Sequence, residues 1–256
     1  MFEELYRKLI FFFGDIRYLH AFPYVTWSIH KHNVNYDEAL EALPLITYGD
    51  VGIHRDSGYL SNLAIPGFMK HAWIHVEDDV SKPQITEAIS EGVILRNAIY
   101  PIFSDFTIIL SPKSVSEKER KGACIKAKNV IGEKYDVNFK FDIEKELHYY
   151  TGRDTMKAKR DLIESQRYIR EYDGAFSCTE LVSYAWWHKR EQLRLYRKKR
   201  RGKSVIIADD FLNNRWEIKW LSKSVTLAMA KKYGLHEEGL NMIEKYLKKS
   251  ELREIK

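Results

Sequence analysis

The tripeptide Ser177-Cys178-Thr179 opens an apolar run, Glu180 to Trp187, and so places a thiol at the first turn of a predicted helix. Unpaired N–H groups and the positive end of the helix dipole favour thiolate over thiol there, which makes Cys178 a candidate nucleophile. The competing reading is a small buried hydrophobe, the ordinary state of a cysteine outside a disulfide. A thiol that cleaves an acyl bond also needs a base, and a polar group that holds the base in its working tautomer. His71 and Glu87, both far upstream, are of the right types. The second cysteine, Cys124, lies among Ala123, Ile125 and Ala127 with no base beside it, and is assigned to packing.

Two strands must position the base and its partner. From His71 to Val76 the chain alternates, with His71, Trp73 and His75 on one face and Ala72, Ile74 and Val76 on the other. Turn-forming residues from Glu77 to Pro83 lead into Ile85 to Ala88, the returning strand of a hairpin, so His71 and Glu87 fall on neighbouring strands. The loop length leaves the register open. His75 shares the face of His71, and alternation alone does not separate the two as base. A zinc site built from His71, His75, Glu87 and Cys178 is the metal alternative by ligand type, although the close-spaced Cys or His pairs of zinc fingers are missing.

Further strands are predicted at 45–48, reaching Gly49-Asp50, and at 92–95, 106–110 and 216–221. Helices are predicted at 1–13 and at 36–43, the latter capped by Asn35 and stopped by Pro44. Another spans 116–131, opened by the capping box of Ser116 and Glu119 and stopped by Gly132. The remainder cover 155–170, Cys178 to about Tyr196, and one or two segments around Gly234. Residues 51–70 read as one long connection, either a lid or substrate loop or a packed loop.

A chain of 256 residues, 45% hydrophobic and 30% charged, is long and apolar enough for one sizeable core, which excludes a disordered protein. Two cysteines cannot make a disulfide framework, so a reducing compartment is expected. The apolar run Leu9 to Phe13 is too short for a signal-peptide core or a membrane span. The chain therefore reads as cytoplasmic in the cell that makes it, and delivery by a phage particle or secretion machine would leave no mark. The net charge of +6 is concentrated: nine Lys or Arg and one acid, Glu191, lie between Lys189 and Lys203. That run is either a face for an anionic partner or a solvated helix followed by a loop.

Six short blocks in this order carry a family resemblance. They are Gly49-Asp50; Lys70 to Val76; Ile85-Thr86-Glu87-Ala88 followed by Gly92-Val93; Gly132-Glu133-Lys134-Tyr135-Asp136; Phe176 to Leu181; and, more weakly, Ile206 to Phe211. Together they resemble the papain-like NlpC superfamily in its circularly permuted form, the YiiX-like group related to lecithin retinol acyltransferase. In ordinary papain-like enzymes the Cys helix precedes the His strand, and here the order is reversed.

The resemblance implies an α+β, circularly permuted papain-like fold: a small antiparallel sheet packed against the Cys-bearing helix within a single domain. Residues 1–44 would form an N-terminal helical extension, 45–221 the core and 222–256 C-terminal helices. It implies a cysteine hydrolase acting on a peptide or peptidoglycan-type amide, with Cys178 as nucleophile, His71 as base and acid, and Glu87 orienting the ring. The N–H of Cys178 would contribute to an oxyanion hole. Tyr59, Trp73, His75 and Tyr135 are candidates for substrate contact, and no cofactor or metal is called for. Lipid acyl hydrolysis or transfer at the same site, and a silent binding module with a basic face, are the alternatives. Asp50 is expected to brace the first strand rather than to do chemistry.

Overall fold

The computed structural model describes residues 32–59, 62, 65–77, 83–136, 175–200 and 203–254. In chain order these residues form helix α1 (Tyr36–Ala42), strands β1 (Val51–Arg55), β2 (His71–Glu77), β3 (Gln84–Ile89) and β4 (Gly92–Asn97), and the short helix α2 (Ile99–Ile102). They continue through β5 (Phe106–Pro112), α3 (Glu117–Lys128), β6 (Lys134–Tyr135), β7 (Ala175–Phe176) and α4 (Cys178–Ala185). The last part holds β8 (Lys198–Arg200), β9 (Lys203–Val205), β10 (Trp216–Leu221), α5 (Leu227–Lys232) and α6 (Glu237–Glu254). The helices expected at 1–13 and 155–170 lie outside the described residues.

The architecture is mixed α+β, centred on a six-stranded antiparallel sheet of order β10-β5-β1-β2-β3-β4. Strands β1 to β4 form a meander, β5 returns to the free side of β1, and β10 closes the row beside β5. The central strand β1 is buried along its whole length, as a strand covered on both faces must be. On one face Val51, Ile53, Ala72, Ile74, Ile108 and Leu110 pack with Ala123 and Ala127 of α3 and Val182 and Ala185 of α4. On the other, Trp73, Ile85, Ile109 and Trp220 pack with Ala39 and Ala42 of α1 and Ala98 and Ile102 beside and within α2. The two-sided cover explains why strand residues of both parities are apolar.

Local signals set several boundaries. Asn35 Oδ1 accepts the Glu38 N–H at 2.9 Å and opens α1. Ser116 and Glu119 close a reciprocal capping box at the start of α3. Residues 216–221 form β10 as expected.

Other expectations are corrected. The strand expected at 45–48 is a tight turn of 3-10 helix over Leu43–Leu45 followed by a bend. The Asp50 carboxylate binds both the N–H (2.8 Å) and the hydroxyl (3.1 Å) of Thr47, and Gly49 adopts φ +73°, so the chain turns before it extends. The strand comes instead at the start of the stretch read as one long connection. The Cys helix does not run to Tyr196 but ends at Ala185. Leu193 and Leu195 are both buried, and two positions apart on a helix they would diverge by roughly 200°. Arg194 at φ 57° turns the chain so that both reach the core.

Candidate functional site

Helix α4 begins at Cys178, with Ser177 as N-cap. Glu180 Oε2 accepts both the Ser177 N–H (3.0 Å) and its hydroxyl (2.8 Å), and Arg197 holds the other carboxylate oxygen at 3.3 Å. This capping fixes the first turn and with it the sulfur. The helix contacts β2 and β3, and the ladder between those strands ends at the Trp73–Glu87 pair. Beyond that pair the N–H of Ala72 donates to Cys178 Sγ, joined by the N–H of Thr179 and a hydrogen bond to the His71 ring.

His71 is the first residue of β2. Its Nε2 meets Glu87 Oε2 at 2.9 Å, and the Glu87 side chain is wholly buried. Arg96 of β4 grips the other oxygen, Oε1, through Nε. The register places these groups in a row across four adjacent strands. His54 pairs with His71, Gly52 with Trp73, Trp73 with Glu87, and Ile85 with Arg96. Arg96, Glu87, His71 and His54 thus share one face, one from each strand, and Cys178 joins the row where β2 and β3 part.

Charge alternates along this row. Burial opposes ionisation of Cys178, but the His71 charge, the hydrogen bond to its ring and the two N–H donors outweigh it and hold the thiol below its ordinary value. Burial also opposes a charge on His71. The thiolate and its hydrogen bond, followed by the bond to Glu87 and its charge, overcome that and raise the ring to about 10. Glu87 would be pushed up by burial, but its bond to His71, the imidazolium charge and Arg96 keep it below the usual carboxylate range. The arrangement favours a thiolate–imidazolium pair backed by a buried carboxylate.

The base role, open between two histidines on alternation alone, falls to the one beside the sulfur. His75 is buried in the interior, its carbonyl accepting from Cys124 Sγ at 3.3 Å and from the Gly49 N–H at 3.0 Å. Trp73 is fully buried and lies over Gly52, where even a Cβ would come within 1.9 Å of its ring. Both were expected to meet substrate, and both are core residues, because β2 is covered on its two faces. Tyr135 is half-buried beside Phe176 in the two-strand ladder β6–β7, which leads directly into Ser177 and Cys178. Burial, then the charges of Cys178, Glu180 and Asp136, push its phenol above the ordinary value, so it remains an O–H donor near the sulfur. Tyr59 is half-buried between β1 and β2.

Two residues of the row were not foreseen. Arg96 is signalled by the two-residue turn Ser90-Glu91, which fixes the β3–β4 register and puts Arg96 diagonal to Glu87. His54 gave no such signal, since it lay in the stretch read as a loop. Its ring lies 4.8 Å from that of His71 at 47°, and burial, with the charge on His71, lowers its pKa to about 4.

Among the described residues no group of three or more His, Cys, Asp or Glu is placed to hold a metal ion, so the zinc alternative is not assembled there. Asp50 braces the start of β1 through Arg120 (2.9 Å) and Lys219 (2.7 Å). The basic run is largely engaged within the fold. Lys189 pairs with Glu119, Arg194 with Glu238, Arg197 with Glu180, and both Lys198 and Arg200 with the buried Asp210, while Arg190 lies over Trp187. Among the described residues no helix is long and apolar enough to cross a membrane. No family model, curated protein or solved structure matches the chain.

Proposed function

We propose that the chain is a cysteine hydrolase that cleaves an amide bond through an acyl-enzyme on Cys178, built on a circularly permuted papain-like fold. One observation carries the reading: the sulfur at the start of α4 is hydrogen-bonded to His71, whose other ring nitrogen is held at 2.9 Å by the buried Glu87. In the first half-reaction the thiolate attacks the carbonyl carbon. The first N–H of the helix, which has no intrahelical acceptor, faces the developing oxyanion. The C–N bond then breaks as imidazolium gives its proton to the departing amine. In the second half-reaction His71 takes a proton from water, hydroxide attacks the thioester, and the carboxylic acid leaves as the sulfur regains its charge. Glu87 keeps the ring in one orientation through both halves. The peptide or peptidoglycan-type amide is favoured by the resemblance of the sequence blocks.

Intact-mass measurement after incubation with amide, ester and phospholipid donors tests the reading. A mass increase equal to the acyl group of an amide donor, absent in Cys178→Ala, is expected. An adduct from lipid donors alone would replace amide cleavage by lipid acyl transfer, and no adduct from any donor, with an unreactive Cys178, would leave a binding module.

A further inference from the structure

The sulfur and the imidazole come from elements far apart in sequence, so something must fix the distance between them. One short segment touches both. The hydroxyl of Thr179, next to the nucleophile, donates to the Ile206 carbonyl at 2.8 Å, and the bond is buried. Three residues on, the Asp209 carboxylate accepts the N–H of Phe68 through Oδ2 and of Met69 through Oδ1, each at 2.7 Å. Those residues lead straight into Lys70 and His71. Asp209 is almost fully buried, and its approach to the loop depends on Gly67: at φ +94° a Cβ there would lie 2.6 Å from Oδ2.

The segment itself is held rigidly. A 3-10 turn spans Ala208–Phe211, and the Asp210 carboxylate binds the Ile207 N–H at 2.9 Å. Lys198 and Arg200 clamp Asp210 from the β8–β9 hairpin, each at 2.7 Å. The His236 ring adds a hydrogen bond to the Asp209 carbonyl at 2.9 Å.

Resting on the hydrolase reading, we infer that Thr179 and Asp209 are positioning residues that tie the Cys178 helix and the His71 strand to the common segment 206–211 and so set the contact between sulfur and imidazole. Neither touches the reacting atoms by this assignment. Their effect passes through the distance over which the imidazolium stabilises the thiolate, an interaction that weakens steeply as the pair separates.

The test follows iodoacetamide alkylation of Cys178 against pH in the full-length chain, together with thermal unfolding, for the wild type, Thr179→Val, Thr179→Ser and Asp209→Asn. Thr179→Val preserves shape and removes only the hydroxyl. It is expected to move the alkylation midpoint up towards the free-thiol value of about 8.5, so that the rate at about pH 6 falls roughly tenfold for every pH unit by which the midpoint rises. Thr179→Ser should restore the wild-type profile, and Asp209→Asn should resemble Thr179→Val. A purely structural role would lower the unfolding temperature and leave the midpoint in place. A folded Thr179→Val with the wild-type profile would overturn the assignment, and it decides alone if Asp209→Asn does not fold. An ordinary thiol in the wild type is a different result, which would remove the hydrolase reading and this inference with it.

Discussion

His54 and His71 stand opposite each other on β1 and β2 with ring centroids 4.8 Å apart, yet they hold opposite protonation states. Glu87 and Cys178 raise His71 to about 10, and burial beside that charge lowers His54 to about 4. A neutral ring against a charged one adds packing without repulsion, and a second proton would bring two like charges face to face.

The pair gives stability opposite slopes with pH. His71, raised in the folded state, contributes stability that is fully present below 6.5 and is lost as pH rises towards about 10. His54 is lowered, so between 6.5 and about 4 the unfolded chain binds a proton that the folded chain refuses, and stability falls as pH falls through that window. His54→Phe keeps a ring and removes the titration. Its unfolding temperature is expected to decline less than the wild type's over the same acidic window, and parallel curves would remove His54 as the cause.

Thiol reactivity should divide the two cysteines. Cys124 is buried in α3 with its sulfur on the His75 carbonyl, whereas Cys178 has the imidazole and two N–H donors. Iodoacetamide is expected to label Cys178 far faster, with an apparent pKa below about 8.5. Equal slow labelling of both in the folded chain would count against the nucleophile.

Removing the Glu87 charge should narrow the pH range of turnover. Without it the imidazolium loses a proton more readily, so in Glu87→Gln the alkaline limb of the rate profile is expected to move to lower pH than in the wild type. Glu87→Ala, which also removes the hydrogen bond, should be the more damaging. Profiles that coincide would show that Glu87 only fills space.

Arg96 is expected to act through Glu87. Arg96→Ala leaves a buried carboxylate oxygen without its guanidinium. Since Arg96 is itself partly exposed, we expect a loss of about 1–2 kcal/mol rather than the full cost of a buried pair. Urea unfolding measures this, and Arg96→Ala combined with Glu87→Gln should cost less than the two singly if the groups are coupled.

The histidines of β2 separate by role. His71→Ala should lower turnover by about a hundredfold or more, as loss of a general base does. His75→Ala should chiefly lower stability, because that ring lies in the interior. Comparing rate and unfolding midpoint for both variants distinguishes them, and the reverse ranking would move the base to His75.

The sequence made the hairpin legible because alternation and a cluster of turn residues are local signals, and β2, β3, β4, β5 and β10 all carry them. It made the start of α4 legible because Ser177 and Glu180 cap it within one turn. It hid β1, since Val51 to Arg55 is buried on both faces and shows no alternation, and with β1 it hid His54. The end of α4 was hidden too. What stops that helix is the burial of Leu193 and Leu195 and the pull of distant acids on the basic run, and neither is a property of the local sequence.

The sheet order also bears on when the sulfur acquires its chemistry. His71, Glu87 and Arg96 come from one continuous meander, whose contacts close over short loops and are favoured early. Cys178 arrives much later in the chain, and the segment tied to Thr179 later still. A ribosome-bound chain that has formed only the meander carries a paired acid and base but no nucleophile. Once α4 emerges, its cysteine remains an ordinary thiol until the helix docks where β2 and β3 part. Activation of the sulfur therefore coincides with completion of the fold, which shields the nascent chain from self-acylation and from stray electrophiles while it is still being made.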